Sequence, residues 1–283
     1  MEETLEILVP YGYEEPTEED IVAAKKWTKE RNENALLLVL LITNLLKKAI
    51  KQLTEIAYKY NCKPEEFQFS QDKNLKESVA DVVSKLEADI MDGIKKYSLN
   101  ATNNQNIIAN INKWLDGLHG KDADNLKGTL HNRVRQFLFD TEAQIAAMLI
   151  AGYSQTKAIT RITSTMHAIY TSPEVLAAFK KLSAARYIKS KGVHEGNVGM
   201  SSSGANNVEN FGSMTAIMAW SRTQYEEEEE DGKTGYFVFR GSTYPCSLCD
   251  SKVGFHSIED VENIPPYHGH CCCFVVYVNR KTI

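Results

Sequence analysis

Cys246-Ser-Leu-Cys249 and, after eighteen further residues, His268-Gly-His270-Cys271-Cys272-Cys273-Phe274-Val-Val-Tyr-Val278 form the stretch on which the reading of this chain turns. It holds five of the six cysteines within 28 positions. Thiolate and imidazole are the ligands that tetrahedral zinc prefers, and C-x2-C followed at a distance by a His/Cys cluster is the spacing of two knuckles closing on one ion. The expected cofactor is a structural Zn2+.

Three other uses of such cysteines fit less well. Pro245-Cys246-x-x-Cys249 matches half of a nucleobase-deaminase signature, but the upstream H-x-E that would supply a third ligand and a proton shuttle does not occur. A redox dithiol belongs at a strand-to-helix turn, whereas the sequence after Cys249 reads as turn and strand. Disulfides lack support, because no signal peptide is visible and nothing else points to secretion.

From Cys271 onward the chain is β-branched and aromatic, so it should be a strand whose side chains alternate between faces. Cys271 and Cys273 then share one face, and Cys272 is expected in the core with Phe274 and Val276. His268, three before Cys271, sits in a knuckle opened by Pro265-Pro266, while His270 should project elsewhere, at the surface or behind the ligands. Five candidates remain for four positions: Cys246, Cys249, His268, Cys271 and Cys273. Cys271 and Cys273 compete for the last.

Composition sets the limits. The chain has 283 residues, 43% of them hydrophobic, enough for a normal core in one or two domains. Its formal charge of −5 argues against a protein whose main work is gripping nucleic acid. The longest apolar run, Ala35 to Leu46, contains Thr43 and Asn44 and falls short of the roughly 20 residues that span a bilayer. It reads as a buried helix, with no membrane role. Cys62 stands apart and is expected to be a small buried hydrophobe.

Along the chain, residues 1–20 carry eight acidic and no basic residues and read as a solvated acidic arm. Residues 21–189 are helical in period. Leu75, Val79, Val82, Leu86 and Ile90 mark one apolar face; Leu126, Leu130, Val134, Phe137, Ile145 and Leu149 mark another. Gly152 should end that second helix and Ser154 should cap the next. Arg133, Arg135 and Arg161 are expected on helix surfaces as solubilising charges. Residues 190–206 contain four glycines without the pattern of a phosphate loop, and read as a flexible linker. In residues 207–283 a helix bearing Phe211, Met214, Met218 and Tyr225 on one face ends in five glutamates, Glu226 to Glu230, expected to be solvated. Two short antiparallel strands, Tyr236 to Phe239 and Phe274 to Val278, should follow, with Phe255 packed between them. The expected fold class is mainly α: an N-terminal helical bundle with a small C-terminal α+β zinc-binding unit. Arg222 flanks the apolar stripe, so its guanidinium should find a carboxylate or carbonyl, either Asp250 or a loop carbonyl beside the zinc.

Ser221-Arg222-Thr223-Gln224, a strand at Tyr236 to Phe239, Cys246 and Cys249, Asp250-Ser-Lys252-Val253-Gly254-Phe255, Pro265-Pro266-Tyr-His268 and Cys271 to Val278 follow one another in a distinctive order. In that order the last ~80 residues resemble the phage Mu F-like head morphogenesis family of minor head proteins. Gln224 stands where the family has Glu, and Gly254, His270 and Cys272 are additions. The resemblance implies a structural protein of the virion, made in the cytoplasm of a bacterial host. It would bind portal or inner capsid proteins during head assembly and contact phage DNA weakly if at all. No catalytic set is identifiable. The alternative is a toxin-like effector: a metal-dependent nuclease using His256 and His270, or an ADP-ribosyltransferase, to whose strands Arg240-Gly-Ser242-Thr243 has a faint likeness.

Overall fold

Thr17 and Asp20 open the first helix by mutual capping. The Thr17 N–H and hydroxyl both donate to the Asp20 carboxylate, and the Asp20 N–H donates back to Thr17 Oγ1. Helix α1 then runs over Glu18–Lys59 in the computed structural model, which describes residues 8–60, 63–119, 124–169, 172–181, 203–268 and 271–281. Leu38, Ile42, Leu46, Ile50 and Leu53 recur at steps of three or four and are fully buried. Each such burial is worth about 1.5–3 kcal/mol against exposure. The apolar run expected to be a buried helix therefore is one, although Leu36, Leu37 and Leu40 on its other side are exposed. No helix among the described residues is long and apolar enough to cross a membrane.

Further helices follow: α2 over Lys73–Leu99, α3 over Gln105–Leu115, α4 over Leu126–Ile150, α5 over Gln155–Thr165, α6 over Pro173–Lys181 and α7 over Gly204–Glu230. The periodic faces of α2 and α4 are the buried ones, with Val82 and Leu149 at their half-buried margins. Gly152 adopts a φ of 69°, which a side chain would resist, and ends α4; the Ser154 hydroxyl accepts from the Lys157 N–H to cap α5. Two antiparallel strands of two residues each, β1 (Leu118–His119) and β2 (Asp124–Asn125), precede α4. Arg133 and Arg135 are exposed, as expected for solubilising charges.

Three strands complete the chain: β3 (Gly235–Phe239), β4 (Gly254–Ser257) and β5 (Phe274–Val278), antiparallel in the order β4-β3-β5. A single turn of helix, α8 (Ser247–Asp250), lies between β3 and β4. The two expected strands do pair, with Phe237 opposite Val276. Phe255 is not between them; it belongs to a third strand on the far side of β3, opposite Phe237. Every residue of β5 is buried, because the sheet is covered on both faces. Phe237, Phe274, Val276 and Val278 pack against Ala24 and Ile21 of α1, while Tyr236, Val238, Val275 and Tyr277 pack with Tyr225 of α7 and with Cys249, Cys271 and Cys273.

The chain divides into two compact units, each discontinuous in sequence: residues up to Leu38 with Ile94–Gly117 and Ser213–Ile283, and Val39–Gly93 with Leu118–Gly212. The long helices α1, α2 and α7 give residues to both, so the units are not cut at the glycine-rich stretch. Of that stretch, residues 190–202 lie outside the described residues, as do Cys62 and His270. Its end is helical: Gly204 opens α7, and a Cβ there would overlap the backbone of Phe137.

Several expectations are corrected. Residues 8–16 of the acidic arm are docked: Val9 and Tyr13 pack on the sheet face that carries Phe237 and Phe274, Glu14 N–H donates to Asn279 O at 3.0 Å and Lys281 N–H to Gly12 O at 2.8 Å. Met218 is exposed, because α7 is buried through Val208, Ala216, Ala219 and Trp220 instead. The glutamate run is only partly solvated. Glu226 is buried and accepts from Asn110 Nδ2 at 3.0 Å, while Glu229 and Glu230 accept from Tyr225 and Asn104.

Candidate metal centre

The first knuckle is the turn around α8. The Asp250 N–H donates to Cys246 O at 2.9 Å and the Lys252 N–H to Cys249 O at 3.0 Å, which brings the two thiols to one side. Arg240, at the end of β3, holds the approach to it. Its guanidinium donates to Cys246 O and Ser242 O, each at 3.2 Å, to Tyr244 O and to the Asp250 carboxylate. Five donors on a planar fork suit Arg to such a cluster of acceptors. The second knuckle closes where the Cys271 N–H donates to His268 O at 3.2 Å. Tyr267 and Tyr236 brace the loop before it, their hydroxyls donating to Asn263 O and Asp260 O.

Together these turns bring all five candidate ligands to one place. His268 Nε2 lies 3.3 Å from Cys246 Sγ and 3.0 Å from Cys249 Sγ, and Cys249 Sγ lies 3.9 Å from Cys271 Sγ. The ligand atoms of Cys246, Cys249 and His268 fall within 4.8 Å of one another, and so do those of Cys249, Cys271 and Cys273. Cys249 is the common member. Around a tetrahedral zinc with bonds of about 2.3 Å to sulfur, ligand atoms are separated by roughly 3.5–3.8 Å. The observed separations of 3.0, 3.3 and 3.9 Å lie on either side of that range, and the cluster can hold a metal ion.

The protons in the cluster are shared unevenly. The Cys273 thiol donates to Cys271, which pulls Cys271 down to about 5 and pushes Cys273 up. Burial pushes Cys249 up to about 11, whereas the Cys249 backbone and side chain, donating to Cys246, pull Cys246 down.

Cys272 is exposed rather than buried. Alternation does hold, since Cys271 and Cys273 both face the cluster and Cys272 does not. What fails is the cover: β5 begins only at Phe274, whose ring stacks on Phe239 at 5.1 Å, and Cys272 lies beyond that pair. Its carbonyl instead touches Gly241 so closely that a Cβ there would overlap it.

Arg222 and Asp250 are not partners. Arg222 Nε donates to Glu226 Oε1 at 3.1 Å, one turn along α7, and the Asp250 carboxylate takes Arg240. Sequence reasoning missed Arg240 in this role, although its place six residues before the first ligand was a usable signal. Both ring nitrogens of His256 are engaged, by Lys252 O at 2.9 Å and the Asp260 carboxylate at 3.4 Å. In comparisons with known proteins, no family model matches the chain, and no curated protein or solved structure matches it.

Proposed function

We infer that this chain is a minor head protein of a phage or prophage, of the Mu F-like kind, whose C-terminal unit is held in shape by one structural Zn2+. The observation that carries the reading is the meeting of Cys246, Cys249, His268 and the Cys271/Cys273 pair from two knuckles in the order of that family's motif. Zinc suits a set of thiolates and one imidazole, and bound there it would supply a rigid cross-link between the knuckles and β5. Five candidate ligands for four positions leave no place for water, which favours a structural over a catalytic ion.

Two of the groups that an enzyme reading would use, Arg240 and His256, have structural partners. Arg240 holds the first knuckle, and His256 stacks on Tyr236 and bonds through both nitrogens. A net charge of −5 further supports a protein partner, portal or inner capsid, over tight binding of duplex DNA. Assembly would take place in the cytoplasm of the bacterial host and end in the virion.

The test is reconstitution with the portal protein of the same phage or prophage, together with metal analysis of the purified chain. One zinc per chain and a stable complex with portal are expected. Hydrolysis of DNA or consumption of NAD, abolished by substitution of His256 or Arg240, would overturn the reading.

A further inference from the structure

The five candidate ligands differ in their surroundings. Among the described residues their donor atoms gather into two triads that share Cys249: Cys246, Cys249 and His268, and Cys249, Cys271 and Cys273. In the first, Cys246 and His268 are only half-buried. The second is made of sulfur alone, and Cys249, Cys271 and Cys273 are 3%, 3% and 2% exposed. Cys249 enters it from α8, while Cys271 and Cys273 enter it from one side of the chain just before β5.

This difference decides which ion each triad can satisfy. Zinc takes four ligands, so it has to draw on Cys246 and His268 and needs only one of Cys271 and Cys273. The sulfur triad has no fourth ligand to give, since Val238 and Val275 pack on it and carry no donor atom. A cuprous ion is soft, is selected by thiolates and is satisfied by three of them. Three sulfurs around an ion lying in their plane, each at the roughly 2.3 Å of a metal–thiolate bond, stand about 4.0 Å apart. Cys249 Sγ and Cys271 Sγ are 3.9 Å apart, and all three sulfurs lie within 4.8 Å of one another.

We propose that Cys249, Cys271 and Cys273 form a second, soft-metal position that takes one cuprous ion, and that copper and zinc exclude each other because both need Cys249. The inference rests on the metal reading above and adds to it a second metal with a structural consequence. Zinc ties the first knuckle to the second through Cys246 and His268. Copper in the sulfur triad lets both of those side chains go, so the first knuckle loses one of its anchors while the second stays closed. The exchange is not a redox step: copper enters as Cu+ and zinc leaves as Zn2+. The thiol that zinc left unused gives up its proton to solvent, and Cys246 takes one back.

The experiment titrates the zinc-loaded full chain, in the absence of oxygen, with cuprous ion delivered from its bicinchoninate complex, and follows zinc release with a chromophoric indicator. One zinc should leave for each copper bound, and X-ray absorption at the copper edge should show three sulfur neighbours and no imidazole. Single variants should then separate the two metals. Cys246→Ser and His268→Gln should weaken zinc binding by about 100-fold or more, beyond what loss of an outer partner costs, and copper binding by about threefold or less. Cys271→Ser and Cys273→Ser should each weaken copper binding by about 100-fold or more, although only one of them does the same to zinc. Should a variant lose its fold, the zinc release and the copper spectrum of the wild type still decide. Copper that fails to bind, binds without expelling zinc, carries an imidazole in its shell or depends on Cys246 and His268 as zinc does overturns the second position and leaves the zinc reading standing. A wild type that takes up neither metal overturns the metal reading itself.

Discussion

The knuckle-bearing sheet and the helices α4 to α6 stay folded by different means. Helix α4 alone buries a dozen side chains, among them Leu130, Val134, Phe137 and Ile145, so its position is overdetermined by apolar contact. The sheet has strands of five, four and five residues, and β4 buries none of its side chains fully. Between β3 and β5 the chain spends 34 residues, 240–273, largely in turns, and what converges there is a set of thiols. Burial distributes stability over many residues; convergence concentrates it on four or five.

Removing the metal is the most severe way to break this contrast. Structural zinc sites bind with about 10–16 kcal/mol, and in small units that energy is folding energy. Chelation, or Cys249→Ser, should make residues 235–281 sensitive to protease while most of the helical circular dichroism remains. Equal protection with and without chelator would show that the sheet is held by its aromatic core instead.

Exchanging single cysteines sharpens it. Cys249 belongs to both ligand groups, so its loss should cost the most metal affinity. Of Cys271→Ser and Cys273→Ser, only the one that removes a ligand should weaken Zn2+ binding strongly, and chelator competition tells them apart. Cys272→Val should change stability by no more than about 0.5 kcal/mol, as is usual for an exposed position. Comparable zinc loss in all three would mean that Cys272 can turn inward.

How much of this was legible in the sequence follows the same contrast. Helix positions were readable because period and burial coincide: Leu75, Val79, Leu86 and Ile90 are the buried face of α2. The Cys/His cluster was readable because a group able to hold a metal draws on particular residue types at short spacing. Period failed for α7, where Glu209, Thr215, Ser221 and Glu226 are buried among apolar residues and no single stripe exists. Alternation placed Cys272 on the correct side of the strand but could not reveal that its cover stops at Phe274. The buried hydrogen bond from Arg31 to Ser221 was invisible, because nothing local marks a donor whose acceptor lies 190 residues away. Long-range pairing leaves no periodic trace.

A substitution confined to the second unit probes the burial side of the contrast. Gly204 lies against the Phe137 backbone, and its N–H donates to the buried Asp140 carboxylate at 2.7 Å. Gly204→Ala forces these helices apart and should destabilise by about 1–3 kcal/mol, as overpacking does. Thermal unfolding should show the loss, with zinc content unchanged. A variant as stable as the wild type would mean that α7 can shift without cost.

The smallest effect concerns charge in the same unit. Glu174 accepts from Arg161 Nε at 3.2 Å and Nη2 at 3.0 Å, from Ser172 Oγ at 2.8 Å and from Tyr153 at 3.0 Å. Arg161, expected to be a merely solubilising charge, thus makes a forked pair. These donors, Arg161 first, hold the Glu174 carboxyl at about 2, below its ordinary 4.5. A depressed carboxyl stabilises the folded state fully above its unfolded value and loses that contribution as pH falls toward the folded one. Glu174→Gln should therefore lower the Tm at pH 7 by about 2 °C, a modest figure because Arg161 is 35% exposed and screened by solvent. The gap between variant and wild type should narrow from pH 4.5 downward and nearly close at pH 2. A gap that stayed constant over that range would assign the loss to the geometry of the amide and not to the charge of the carboxylate.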